Sequence, residues 1–248
     1  MKKVGIIGCG WLGYRIAEYL SVQYDVYATT TTPDKIEPLT IKGFKPTIVH
    51  FSEDIVLHEL KQWEVLTSLD SIIITVPFSE KDLLRNRLQN LCSFLGDFNG
   101  QLFYMSSTSV YPDIEQTFSE EDISSEALFG EGKIKEKYPQ VNILRLAGLM
   151  GDNRLLRNYK VTNLNFAVNH IHYKDICRVI EIMIERSFNS KLYNVVAPLH
   201  PSKSDVINAQ KNISYSAHCA INGKKISSSK LIAELDFDFK FPDPRKFH

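Results

Sequence analysis

Residues 4–13 read Val4-Gly5-Ile6-Ile7-Gly8-Cys9-Gly10-Trp11-Leu12-Gly13, an apolar run followed by glycines spaced two and three apart. A G-x-G-x-x-G is a weak signal alone. Here it follows a run with strand character and opens a helical pattern in which Leu12, Ile16 and Leu20 share one face. In that setting each glycine answers a physical need. Gly8 lets the chain turn tightly, Gly10 lets backbone N–H groups approach a diphosphate, and Gly13 lets helix and strand pack closely. The helix N-terminus adds unpaired N–H donors and a partial positive charge. The spacing predicts a dinucleotide cradle contacted by Gly8, Gly10, Trp11, Leu12 and Gly13. Trp11 either stacks on the cofactor or packs against the protein.

Outward from the cradle, apolar runs rich in β-branched residues recur at 4–7, 25–29, 47–49, 71–76, 101–105, 141–146 and 192–196. Helical periods lie between several of them: Leu84, Leu88, Leu91 and Leu95 behind an N-cap at Ser79, and Ile176, Val179, Ile180 and Met183. Strands without polar alternation, separated by helices, indicate a parallel sheet covered on both faces. The expected fold is α/β, a Rossmann doubly wound parallel sheet of about seven strands with a small C-terminal cap lobe. The dinucleotide-binding domain is placed at 1–198, with a short lobe insertion near 149–168, and the cap lobe at 199–248. Asn222-Gly223, between two short strand-like runs, predicts a hairpin within the cap.

The chain has 248 residues, with 29 basic and 29 acidic side chains. Zero net charge argues against nucleic-acid or anionic-membrane partners. No apolar stretch is long enough to span a bilayer. The four cysteines (Cys9, Cys92, Cys177 and Cys219) are far apart and form no C-x-x-C, so they read as a reduced, cytoplasmic set.

The second strand ends Thr29-Thr30-Thr31-Thr32, with Asp34 only after Pro33. A carboxylate at that strand end would hold the ribose hydroxyls of NAD. Hydroxyls there tolerate a 2′-phosphate, with Lys35 assisting, so NADP is expected with NAD as the alternative. Thr30, Thr31 and Lys35 join the candidate cofactor contacts. Val76 and Pro77 at the fourth strand end, and Ser106 at the fifth, complete them.

The fifth strand runs into Tyr104-Met105-Ser106-Ser107-Thr108-Ser109-Val110-Tyr111-Pro112, a row of hydroxyls at the carboxyl end where such sheets put their sites. It resembles the S-S-x-x-V-Y signature of the extended short-chain dehydrogenase/reductases, the NAD-dependent epimerase/dehydratase family. Ile143-Leu144-Arg145, His170-Ile171-His172-Tyr173-Lys174-Asp175, Tyr193-Asn194-Val195 and the stretch Lys224–Leu235 are similar, in the same order, to later motifs of that family. The chain most resembles a compact bacterial branch of it. The resemblance implies that Ser107 polarises the substrate, with Thr108 and His172 beside it. It also implies a proton-transferring tyrosine in a Y-x-x-x-K helix, its pKa lowered by the lysine. That tyrosine is missing. None occurs between Tyr111 and Tyr138, and no tyrosine is followed four positions later by lysine. One register puts Phe129 at the tyrosine position and keeps Lys133; another puts Ser125 there and Phe129 at the lysine's. In the first register Lys133 is the candidate proton donor.

His170 and His172 share a strand face but lack a third ligand, so no metal is expected. Glu120-Glu121-Asp122 reads as a helix start. Two functions follow. The first is an NAD(P)-dependent oxidoreductase or epimerase acting on a small polar substrate, atypical or weak without its tyrosine. The second is a non-catalytic, dinucleotide-sensing protein with no substrate. The fold is compatible with a homodimer.

Overall fold

The computed structural model describes residues 1–51, 61–76, 82–213 and 221–247. Pro77, Ser79 and Cys219 lie outside the described residues. In chain order the strands are β1 (Lys3–Ile7), β2 (Asp25–Thr30), β3 (Lys45–Ile48), β4 (Ser71–Ile74), β5 (Gln101–Ser107), β6 (Thr117–Phe118), β7 (Asn142–Leu146), β8 (Gly148–Met150), β9 (His170–His172), β10 (Leu192–Val195) and β11 (Lys225–Ile226). The α-helices are α1 (Trp11–Leu20), α2 (Ile36–Ile41), α3 (Asp82–Leu95), α4 (Phe129–Lys137), α5 (Tyr173–Glu185), α6 (Lys203–Gln210) and α7 (Ser229–Leu235).

Seven strands form one parallel sheet in the order β10-β7-β5-β4-β1-β2-β3. The order reverses direction at β1 and β4, the switch point where doubly wound sheets bind ligands. These are the seven strands expected from the apolar runs. Their interiors show why: Ile72, Ile73 and Ile74 of β4, Leu102 and Phe103 of β5, and Ile6 and Ile7 of β1 are all fully buried. Burial on both faces removes any need for polar alternation. α1 buries Leu12, Gly13, Ile16, Ala17 and Leu20, one face at helical spacing.

The internal contacts divide the chain into two compact units, each built from three segments. The first comprises Met1–Ser106, Ser125–Ile143 and Ile184–Lys191; the second comprises Ser107–Ser124, Leu144–Met183 and Leu192–His248. Within the second unit, the run before Asn222-Gly223 that the expected hairpin needs lies outside the described residues. β11 pairs in parallel with β6, Lys225 opposite Thr117 and Ile226 opposite Phe118.

The C-terminal stretch also belongs to the second unit, and one buried carboxylate fixes it. Asp175 accepts from Lys240 N at 3.0 Å, Phe241 N at 2.9 Å and Arg178 Nη1 at 3.1 Å. Phe237, Phe239 and Phe247 of the same stretch are buried.

Candidate functional site

In the first unit the glycine turn is held before any ligand arrives. Gly8 has φ +97°, the left-handed region that glycine adopts without steric cost. Its N–H donates to Thr29 Oγ1 at 2.9 Å, and its carbonyl accepts from Thr75 Oγ1 at 2.6 Å and from Gly10 N at 2.7 Å. Cys9 N donates to Thr29 O at 2.7 Å. A methyl on Gly13 would sit 2.3 Å from Gly8 O, so only glycine permits this approach of helix to turn. A methyl on Gly10 would meet nothing within 4 Å. The space above Gly10 is therefore open, as a diphosphate site requires.

α1 begins at Trp11 with Gly10 as N-cap, no side-chain cap and no acid in its first turn. The first-turn amides of an α-helix have no partner within the helix, and Leu12 and Gly13 contribute two of them. The positive helix end faces the turn without a competing carboxylate.

A cleft of about 730 Å³ opens over the turn. It is lined by Gly8, Gly10, Thr30, Thr31, Lys35 and Val76, all expected from the sequence, and by Cys9, Thr29, Val49, His50, Phe51, Thr75 and Arg87, which were not. No Asp or Glu lines it among the described residues. Burial pushes the Cys9 thiol up to about 11, against a smaller opposing pull from Lys35, so it stays protonated and inert near neutral pH. Trp11 instead lines a smaller neighbouring groove with Tyr14, Arg15 and Pro38, and the Arg15 guanidinium lies 3.9 Å over its ring. Leu12 is buried in the core.

Ser106 ends the part of β5 in this unit. Its hydroxyl donates to Glu131 Oε1 at 2.6 Å, and Glu131 is only 2% exposed. α4 therefore turns a carboxylate inward at the strand end, which sequence reading missed. Lys133, two residues on, is exposed and pairs with Glu136 at 2.7 Å. Phe129 lines a surface groove with Glu126, Gly132 and Lys133. Tyr138 is buried, its hydroxyl donating to Gly96 O at 2.9 Å, and burial raises its pKa.

In the second unit Ser107 is exposed and caps the turn Thr108–Val110 by accepting from Ser109 N at 3.1 Å. That leaves its O–H proton to be donated. Thr108 is buried. A buried network supports the turn. Arg145 Nη1 donates to Tyr111 Oη at 2.8 Å, Tyr111 Oη donates to Asn194 Oδ1 at 2.9 Å, and Arg145 Nη2 donates to Ile123 O at 2.8 Å. Desolvation raises the Tyr111 pKa despite Arg145. Glu120, read from sequence as a helix start, is 3% exposed and accepts from Asn194 N at 2.6 Å. Burial raises its pKa.

His172 is buried, stacked on Phe241 at 3.9 Å and on Tyr173 at 4.9 Å. Its Nδ1 accepts from Lys174 N at 3.3 Å. His170 carries a buried Nδ1 without a hydrogen-bond partner, and burial pulls its pKa down to about 4. Among the described residues no group of three His, Cys, Asp or Glu could hold a metal ion, and no helix is long and apolar enough to cross a membrane.

The sheet order and the glycine turn define a Rossmann-type fold. Known proteins share that fold. The chain is 26% identical to Protein YeeZ of Escherichia coli K12 over 270 residues, covering 98% of each. It superposes on dTDP-glucose 4,6-dehydratase from Bacillus anthracis, solved with NAD, with a TM-score of 0.71 and 13% identity over 98% of this chain and 94% of that one. It superposes on human epimerase family protein SDR39U1, solved with NADPH, with a TM-score of 0.66 and 11% identity over 98% and 96%. No family model matches the chain.

Proposed function

We propose that this chain is a cytoplasmic NADP-dependent oxidoreductase or epimerase acting on a small polar substrate, working without the tyrosine that the motif resemblance implies. One observation carries the cofactor reading. The cleft over the glycine turn gathers Lys35 and Arg87 beside Thr30 and Thr31 and holds no carboxylate among the described residues. Cations and hydroxyls suit a 2′-phosphate, whereas an acid would suit the free ribose of NAD. Gly10 leaves room for the diphosphate, and the first turn of α1 offers its amides.

Bound there, the cofactor supplies or accepts a hydride. Ser107 then supplies the hydroxyl that polarises a carbonyl. Tyr111 and Tyr138, the tyrosines that flank the empty interval, are 1% and 2% exposed and already hydrogen-bonded. Neither is available as a proton donor, so proton delivery falls to water or to Lys133. Losing a positioned general acid costs about 10²–10⁴ in rate, which leaves a slow enzyme rather than none.

The test is thermal unfolding with NAD, NADH, NADP and NADPH, followed by turnover of a carbonyl panel. NADP and NADPH should raise Tm more than NAD and NADH, and Lys35→Glu should invert that order. No shift with any of the four overturns the cofactor reading. A shift without turnover across the panel overturns the oxidoreductase.

A further inference from the structure

Three segments of the second unit lie side by side. Phe166 bridges Asn222 and Ala167 bridges Ser202. Lys203 N donates to Phe166 O at 2.9 Å. The Asn169 side chain clamps the third segment, donating to Lys224 O and accepting from Ile226 N, both at 2.9 Å. The backbones of Lys203 and Lys224 are therefore both anchored on the segment that runs into His170.

Their ammonium groups are weakly neutralised. Lys203 Nζ donates to a neutral carbonyl, Thr162 O, at 3.1 Å and lies 5.7 Å from the Phe166 ring. Lys224 Nζ donates to Tyr111 O at 2.8 Å and pairs with Asp113, a carboxylate 93% exposed that water or a competing anion can displace. The Lys203 charge reaches His170 and helps keep its imidazole neutral, and Lys225 acts in the same way on His200. One edge of the His170 ring is pressed on Gly148, where a methyl would come within 2.5 Å of Cδ2. The other edge carries the buried, unpartnered Nδ1. Lys203 also acts on Asp113, the carboxylate that Lys224 pairs with, which places the two ammonium groups in one neighbourhood. Folded proteins pair nearly all buried polar atoms, so an orphan within reach of the Lys203 charge marks a place for a ligand atom.

We propose that Lys203, Lys224 and His170 form an oxyanion subsite that takes the phosphate or carboxylate end of a small substrate. The two ammonium groups supply charge and the neutral imidazole supplies one directional hydrogen bond. Half-exposed Phe166 offers an apolar face beside them. The bond from Lys224 to Tyr111 O ties the subsite to the turn that begins at Ser107. Calling the ligand a substrate rests on the oxidoreductase reading; the anion contacts do not.

The test is a ring-NMR titration of the full chain, histidine-labelled and saturated with NADPH so that the glycine turn is occupied. Orthophosphate and acetate are added in separate arms. The His170 resonance, assigned by its loss in His170→Asn, should shift saturably, and the tighter arm identifies the group recognised. Lys203→Gln and Lys224→Gln should each weaken that binding roughly tenfold, the worth of a hydrogen bond to a charged group. NADPH affinity should not change, and Lys42→Gln in the first unit should have no effect. A His170 signal indifferent to both anions, or equal affinity in the lysine variants, overturns the subsite. If NADPH fails to bind while the lysine-dependent shift remains, the cofactor reading falls and the subsite stands.

Discussion

Two glycines of one turn should fail in different ways. In Gly13→Ala the new methyl starts 2.3 Å from Gly8 O, a carbonyl already gripped by Thr75 and Gly10 N. The atoms must separate by about 1 Å to reach van der Waals distance. Overpacking of this kind costs about 2–3 kcal/mol, and alanine's better helix propensity returns about 1. A net loss of about 1–2 kcal/mol lowers Tm by roughly 2–8 °C in a chain of this size. In Gly10→Ala the methyl meets nothing, and the φ of −82° is open to any residue. A less favourable N-cap and a less flexible unfolded chain nearly offset, so Tm should move by about 2 °C or less. Yet that methyl occupies the space through which a diphosphate approaches. NADPH affinity should fall at least about tenfold, about 1.4 kcal/mol, in both variants. Calorimetric titration and thermal unfolding on the same samples separate the outcomes. A Gly10→Ala protein that binds NADPH as tightly as wild type would refute the placement of the diphosphate.

Asp175→Ala removes the acceptor of two backbone amides and an arginine, and should cost about 3 kcal/mol or more. Proteolysis should then cut first within 236–247; an unchanged cleavage pattern counts against the role given to Asp175. Ser106→Ala strips a partner from a buried carboxylate and should lower Tm more than Glu131→Gln, which keeps an oxygen acceptor. Equal Tm values would mean that this bond does not hold α4. His170 titrates near 4 when folded and near 6.5 when unfolded, so the unfolded chain binds the extra proton. Its contribution to stability is complete above about pH 6.5 and is lost as pH falls towards 4. Denaturant unfolding of His170→Asn should therefore show a shallower loss over that window than wild type, and parallel curves would contradict the assignment.

Much of this was legible in the sequence because it is written locally. A strand buried on both faces must be a run of apolar residues, and all seven sheet strands were visible that way. The glycine turn was legible because tight turning and close approach leave no other choice at Gly8 and Gly13. What escaped were residues whose roles depend on distant partners. Glu131 looks like one more charge in a polar helix until Ser106 is placed against it. Glu120 reads as a helix start, and a short helical turn does begin there, but its buried bond to Asn194 N comes from 74 positions away. Arg87 sits in an amphipathic helix and reveals nothing of the cleft it lines. The pairing of β11 with β6 was not legible because those strands never adjoin in sequence.

The grip of Thr29 and Thr75 on Gly8 has a kinetic corollary. A nest already rigid in the free protein has little freedom left to surrender, so association should proceed in a single fast phase without a slow isomerisation. Swapping either threonine for valine would loosen the nest and should introduce a lag into the stopped-flow trace.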